Sequence, residues 1–281
     1  MNRPRTTLAA LVLGLAATWA APGAASADEP ARVVSLNLCT DLLVLRLLPD
    51  ARIASVSALA ADPAHSPMAE RAAKLPRNHG RAEEVLRDEP DLVLAGAMRQ
   101  RTTVRLLRRL GHEVVTLSPP RDIAAVRAQI RRVARLLGVR EKGEAAIRRF
   151  DARLARAAGD DPETPVTAAV YQPNGVTVGA GELPHAVLNA AGLTNVAARM
   201  GLSGMVPLPL EKLVRARPDI LVLPARRGAP DRATAVLDHP ALLALRERAR
   251  LVRIPKRLWT CGGPQLARAV TRLARARREV R

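Results

Sequence analysis

Aromatic side chains are almost missing from this sequence: Phe, Tyr and Trp make up 1% of its 281 residues, while 48% are hydrophobic. Any core must therefore be packed from Leu, Val, Ile and Ala. Lysine is scarce too, supplying only four of the 45 basic residues (Lys74, Lys142, Lys212, Lys256) behind the net charge of +19. The arginines are spread along helical stretches such as RRVARLLGVR, with no single stripe to track a phosphate backbone, and this argues against nucleic acid as the partner. Catalytic signatures are also missing. There is no GxSxG, VGAGELP lacks the spacing of a nucleotide loop, and the five histidines (His65, His79, His112, His185, His239) form no HxH or HxxxH pair. Nothing therefore marks an enzyme, and a periplasmic hydrolase stands only as a rival reading.

Long apolar runs are lacking as well, except near the start. MNRPRTTLAALVLGLAATWAAPGAASADEP opens with Arg3 and Arg5, continues with an apolar run from Leu8 to Ala21, and reaches small residues at Ala25-Ser26-Ala27. This is the pattern of a secretory signal, expected to be cleaved after Ala27. The run is short for a membrane span, and no later segment approaches the roughly 20 apolar residues that spanning needs. A lipid-tethered protein would carry a Cys at the end of the apolar run, whereas the first Cys is Cys39. The expectation is an exported, periplasmic protein, and that address also removes nucleic acid.

After residue 27 the surviving aromatics are Phe150, Tyr171 and Trp259. Short aliphatic runs alternate with stretches of helical period, the pattern of parallel α/β units. The first half offers strands at 32–36, 52–57, 91–96 and 113–118, and the second at 167–172, 219–224 and 250–255. TDLLVLRLLP reads as a helix capped by Thr40 or Asp41. Between the halves RDIAAVRAQIRRVARLLGVREKGEAAIRRFDARLARAA is helical nearly throughout, with Gly138 and Gly143 as its soft places. Its part from Glu141 to Ala158 would extend roughly 27 Å, the width of a small lobe. The expected organisation is a signal at 1–27, an N-terminal α/β lobe at 28–121, a helical connector with a long strut helix at 122–160, and a C-terminal α/β lobe at 161–281.

The halves also share a phrase. EEVLRDEPDLVLAGA from Glu83 returns as EKLVRARPDILVLPA from Glu211, with Glu, Arg, Pro and Asp identical. Each copy reads as a helix stopped by Pro90 or Pro218 and followed by a buried strand.

Together with YQPNGVTVGAGELPHAVLNAAGLTNVA and LWTCGGPQLARAV, these motifs resemble the periplasmic substrate-binding proteins of ABC importers for ferric siderophores, haem and cobalamin. The resemblance covers essentially the whole chain after residue 27. It implies two Rossmann-like lobes joined by a long rigid helix, with a ligand cleft between them. It also implies that Glu83 and Glu211, one per lobe, dock onto arginines of the membrane permease as a two-point electrostatic key. Each Glu also suits the first turn of its helix, where the dipole favours negative charge. The expected cargo is a small metal chelate, a ferric siderophore ahead of cobalamin or haem, carried by a monomer with no cofactor of its own. A bare transition-metal ion is the alternative, but it would need a closed set of protein ligands.

Open α/β sheets bind ligands beyond the carboxyl ends of their strands. The candidate contacts there are Asn37, Cys39, His79, Arg99, Tyr171, Asn174, Arg226, Trp259 and Cys261, with Arg227 beside them. Tyr171 and Trp259 are expected to offer flat platforms to a large chelate, and the arginines to meet anionic groups. The even Cys count in an oxidising compartment favours a disulfide between Cys39 and Cys261, which would tie the lobes across the cleft. Free thiols or a ligand contact stay open.

Overall fold

The computed structural model describes residues 29–98, 100–158, 165–225 and 231–280. The expected signal, Arg99, Arg226 and Arg227 lie outside the described residues. The first half runs β1 (Val33–Ser35), α1 (Leu38–Leu47), β2 (Ile53–Ser57), α2 (Ala69–Ala72), β3 (Arg77–Asn78), α3 (Ala82–Arg87), β4 (Leu92–Gly96), α4 (Arg101–Arg109) and β5 (Val114–Leu117). Its five strands form one parallel sheet in the order β3-β2-β1-β4-β5. The connector is a helical pair, α5 (Ile123–Leu136) and α6 (Arg140–Ala158).

The second half comprises β6 (Val166–Gln172), β7 (Val176–Val178), α7 (Leu183–Ala190), β8 (Leu193–Asn195), α8 (Val196–Arg199), β9 (Met205–Pro207), α9 (Leu210–Ala216), β10 (Ile220–Pro224), α10 (Pro240–Arg248), β11 (Arg250–Ile254) and α11 (Leu266–Glu279). Its sheet is mixed. β6 pairs in parallel with β10 and with β8, while its last residues, Tyr171 and Gln172, pair antiparallel with β7, which carries β9. The parallel part, β8-β6-β10-β11, repeats the order β2-β1-β4-β5 of the first lobe.

Strand alternation sorts the side chains onto two faces of each sheet. Val33, Leu92, Leu94, Ala168, Val170, Ile220 and Val222 all face one continuous core that also takes in Val126, Ile130, Ile147, Phe150, Val270 and Leu273 from α5, α6 and α11. The opposite faces are covered separately. Val34, Val93 and Ala95 meet Val85 and Leu107, whereas Ala169, Tyr171, Leu221 and Leu223 meet Leu213, Leu242 and Leu245. The connector is thus more than a rod between lobes, because its inner face forms part of the core they share. The turn between α5 and α6 uses Gly138 at φ +71, and a Cβ on Gly143 would fall 2.4 Å from that of Ala134, so the two helices meet where a side chain is missing.

The repeated phrase has a structural cause. Pro90 and Pro218 follow Glu89 and Arg217, which hold left-handed backbone at φ 43 and 45. The next residue then clips the neighbouring strand. Asp91 accepts the N–H groups of Ala31 and Arg32, both at 2.8 Å, and Asp219 accepts the N–H and hydroxyl of Thr167 at 2.7 and 2.6 Å. Two identities of the repeat therefore fix each lobe's central strand pair, β1 with β4 and β6 with β10.

Candidate functional site

In the first sheet the strand order reverses between β1 and β4, and it is beyond the carboxyl ends of such a pair that a doubly wound sheet opens a crevice. A cavity of about 520 Å³ lies there, walled by both lobes. From the first lobe come Asn37, Cys39 and Thr40 at the start of α1, Gly96 to Met98 after β4, and Ser118 to Pro120 after β5. The second lobe brings Gln172 after β6, Glu182 to Pro184 at the start of α7, Met205 of β9, and Lys256 and Trp259 to Gly262 after β11. Two helix starts thus border the space, one from each lobe. Glu182 and Lys256 are the charged side chains among the described residues of its wall.

The wall of the first lobe is set by α1. Asn37 holds extended backbone and accepts the N–H groups of Cys39 and Thr40 at 3.0 and 3.3 Å, so it caps the helix in place of the expected Thr40 or Asp41. Asp41 turns inward instead. Its fully buried carboxylate accepts the Ser57 N–H at 3.1 Å and the Ser57 hydroxyl, pinning α1 to the end of β2. Burial pushes this carboxyl up to about 7, against the lowering pull of hydrogen bonds from Ser35 and Ser57.

Across the cleft the lobes are joined directly. Cys39 and Cys261 form a disulfide with their Cα atoms 5.1 Å apart, spanning 222 positions of sequence. Its neighbour Gly262 has no room for a side chain, since a Cβ there would meet Pro120 Cγ at 2.2 Å. Arg257 adds a further tie, donating to the carbonyl of Pro63 at 3.2 Å. The bridge and the glycine both lie in the cavity wall, so the cavity is framed by contacts that hold the lobes together.

Four expected contacts, Asn37, Cys39, Trp259 and Cys261, do come together at the cavity. Trp259 is only 6% exposed and contributes as part of a packed wall more than as an open platform. Tyr171 is placed elsewhere: it is 1% exposed, faces the core over α9 and α10, and its hydroxyl donates to the Leu208 carbonyl at 3.2 Å. Burial, and after it the negative charge of Glu211, raise its phenol above the ordinary value. Asn174 is exposed with left-handed backbone, its N–H donating to Ala233 at 2.7 Å, and it does not border the cavity. His79 is likewise exposed and outside the wall, its Nδ1 3.0 Å from Glu84. Arg99 and Arg226 lie outside the described residues.

Met98, Gln129, Gln172, Glu182, Met205 and Lys256 were not singled out by sequence reasoning, yet they line the cavity. Met98 follows a strand end that the strand pattern already marked. Met205 left no such signal, because β9 is three residues long and has no period to read.

Glu83 and Glu211 occupy the second position of α3 and of α9, and both are exposed. In a parallel unit the helix starts at the carboxyl end of the strands, so both acids stand on the cleft side, one per lobe. The local electrostatic work at α3 falls to the next residue. Glu84 accepts the N–H groups of His79 and Arg81 at 2.7 and 3.3 Å, and these bonds, the first above all, hold its carboxyl below the usual range. Neither Glu83 nor Glu211 has an ion pair with a described residue.

Residues 33–255 match the family model described as periplasmic binding protein. The structure is similar to the periplasmic heme-binding protein RhuT from Roseiflexus sp. RS-1 in apo form, at 25% identity and a TM-score of 0.72, with 89% of this chain and 98% of that chain covered. It is also similar to a periplasmic heme-binding protein from Pseudomonas aeruginosa, at 26% identity and a TM-score of 0.66, over 88% and 92% of the two chains. The fold is shared with an ABC-type Fe3+-hydroxamate transport system from Saccharomonospora viridis, at 21% identity and a TM-score of 0.66, over 88% and 93%. Among curated proteins none matches the chain.

Proposed function

Because this chain belongs to the periplasmic binding protein family, we propose that it captures a metal chelate between its lobes and delivers it to an ABC-type permease of the inner membrane. It is a binding protein and not an enzyme, so the hydrolase reading falls away. The observation that carries the proposal is the cavity of about 520 Å³ whose wall is shared by two lobes of repeated design. A space of this size, apolar with a few polar anchors, suits an organic ligand more than a naked ion. A bare metal ion would need convergent ligands, and among the described residues no group of three His, Cys, Asp or Glu stands ready to hold one.

Delivery is read from the acids. Of the four identities in the repeated phrase, Pro and Asp have structural tasks, whereas Glu83 and Glu211 are exposed at matching positions on the cleft side. As permease contacts they would fix orientation as well as attraction, since two charges held apart on a rigid body define a direction. The reading includes export by the segment 1–27, action as a monomer in the periplasm, and a ferric siderophore as the first candidate cargo, ahead of cobalamin or haem.

Native mass spectrometry of protein taken from its own periplasm tests the proposal. A bound small molecule whose isotope pattern contains a metal is the expected result; protein that carries nothing and binds no chelate when offered would refute it.

A further inference from the structure

We propose that Met98 and Met205 are paired thioether jaws, one from each lobe, which grip the organic shell of a chelate whose metal already holds a full set of ligands, so that the site reads the shell and is blind to the metal. The proposal rests on the chelate reading above and deepens it.

The argument begins with donors. A protein that binds iron in an open macrocycle does so through His, Tyr, a Cys thiolate or Met. Every His and the one Tyr of the chain fall within the described residues, and none borders the cavity. Most are engaged elsewhere. His65 lies 2.8 Å from Asp62, His79 pairs with Glu84, His185 meets Asn189 and Asn195, His239 caps α10, and the Tyr171 hydroxyl is held by Leu208. His112 follows α4 just before β5 begins, at the end of the sheet away from the cleft. Both cysteines are spent on the disulfide. What remains in the described wall is one carboxylate, Glu182, one ammonium, Lys256, and two thioethers. Met ligates haem iron in partnership with His, and no His borders the cavity. One carboxylate and two soft thioethers cannot complete the sphere of a hard ferric ion, so a metal held here must bring its own ligands.

The methionines then need an explanation. Seven large apolar side chains are exposed among the described residues, and just two of them, Met98 at 73% and Met205 at 58%, border the cavity. Met98 follows β4 in the first lobe, while Met205 opens β9 in the second, so they approach a ligand from both walls. Methionine is an unbranched apolar side chain with three rotatable bonds, and its bulk adapts to irregular apolar surfaces. That property suits the uneven outside of a wrapped metal.

Calorimetric titration of the mature protein with one trihydroxamate siderophore loaded with Fe3+, and the same siderophore loaded with Ga3+, is the test. The proposal expects dissociation constants within about twofold of each other, weakening of both by tenfold or more in M98A/M205A, and recovery to within about threefold of wild type in M98L/M205L, which restores bulk without sulfur. A tenfold preference for one metal, an unaffected alanine variant, or a leucine variant as weak as the alanine one overturns it. So does haem that binds with an absorption spectrum of iron ligated by the protein, although that result leaves the chelate reading intact. Protein that binds neither siderophore, corrinoid nor haem overturns the chelate reading itself.

Discussion

The two lobes differ in one respect that their common plan makes plain. The first is a wholly parallel sheet, and the second repeats four of its five strands, all but β3, and adds the antiparallel pair β7 and β9 beside β6. The shared part is held by the clips, Asp91 and Asp219, each fastening the strand after its helix to the start of the central strand. The added part has no clip and supplies a wall residue instead, Met205. Framework and cavity wall are therefore built from separable pieces: repetition fixes the former, and the departure from repetition shapes part of the latter.

The disulfide is the strongest handle on this arrangement, since it is the covalent tie between unlike walls. Replacing Cys39 and Cys261 together by Ser should cost about 4 kcal/mol of stability, given the long loop that the bridge closes. Thermal unfolding should nevertheless stay a single transition, because α5, α6 and α11 place both lobes on one core. Two resolved transitions in calorimetry would show that the lobes are energetically separate.

Much of this comparison could be read from the residues alone. Seven of the strands, the repeat, the helical connector and the cleft at the strand ends all follow from alternation and from proline stops, which act over a few residues, whereas the short strands β3 and β8 escape that reading. The failures were of another kind. Tyr171 looked like a platform because aromatics are rare, yet strand parity puts it on the same face as Ala169, over α9 and α10 and away from the cleft. His79 was drawn off by Glu84, a contact five residues away that hydrophobic patterning does not register. Asp41 looked like a cap but was recruited by Ser57, a tertiary partner. The pair β7 and β9 left no trace because three-residue strands carry no period.

Asp41 sharpens the contrast further, since the matching fourth position of α7 is Ala186. Its carboxyl is raised in the folded protein, so the folded state binds more protons than the unfolded state between pH about 4 and 7, and stability falls as pH rises through that window. The loss should be on the order of 4 kcal/mol and should level off above pH 7. In D41N this slope should disappear from denaturant titrations; persistence of the full slope would assign it to other groups.

The clips should give the smallest and most symmetrical effect. D91A and D219A each remove a carboxylate that accepts two hydrogen bonds at a partly solvated strand start, and each should cost about 1–2 kcal/mol. Comparable losses in urea titrations would support equivalent roles in the two lobes. A large loss in one and none in the other would break the comparison.

The central claim is that each lobe contributes one wall to the cargo and one acid to a partner. Charge reversal at Glu83 and Glu211, tested in parallel for chelate affinity and for uptake through the permease in cells, addresses it most directly. The account predicts that E83K/E211K keeps the affinity of the wild-type protein within about twofold while uptake falls to background, because the acids lie outside the cavity wall. Uptake that continues undiminished, or affinity that collapses together with uptake, would contradict it.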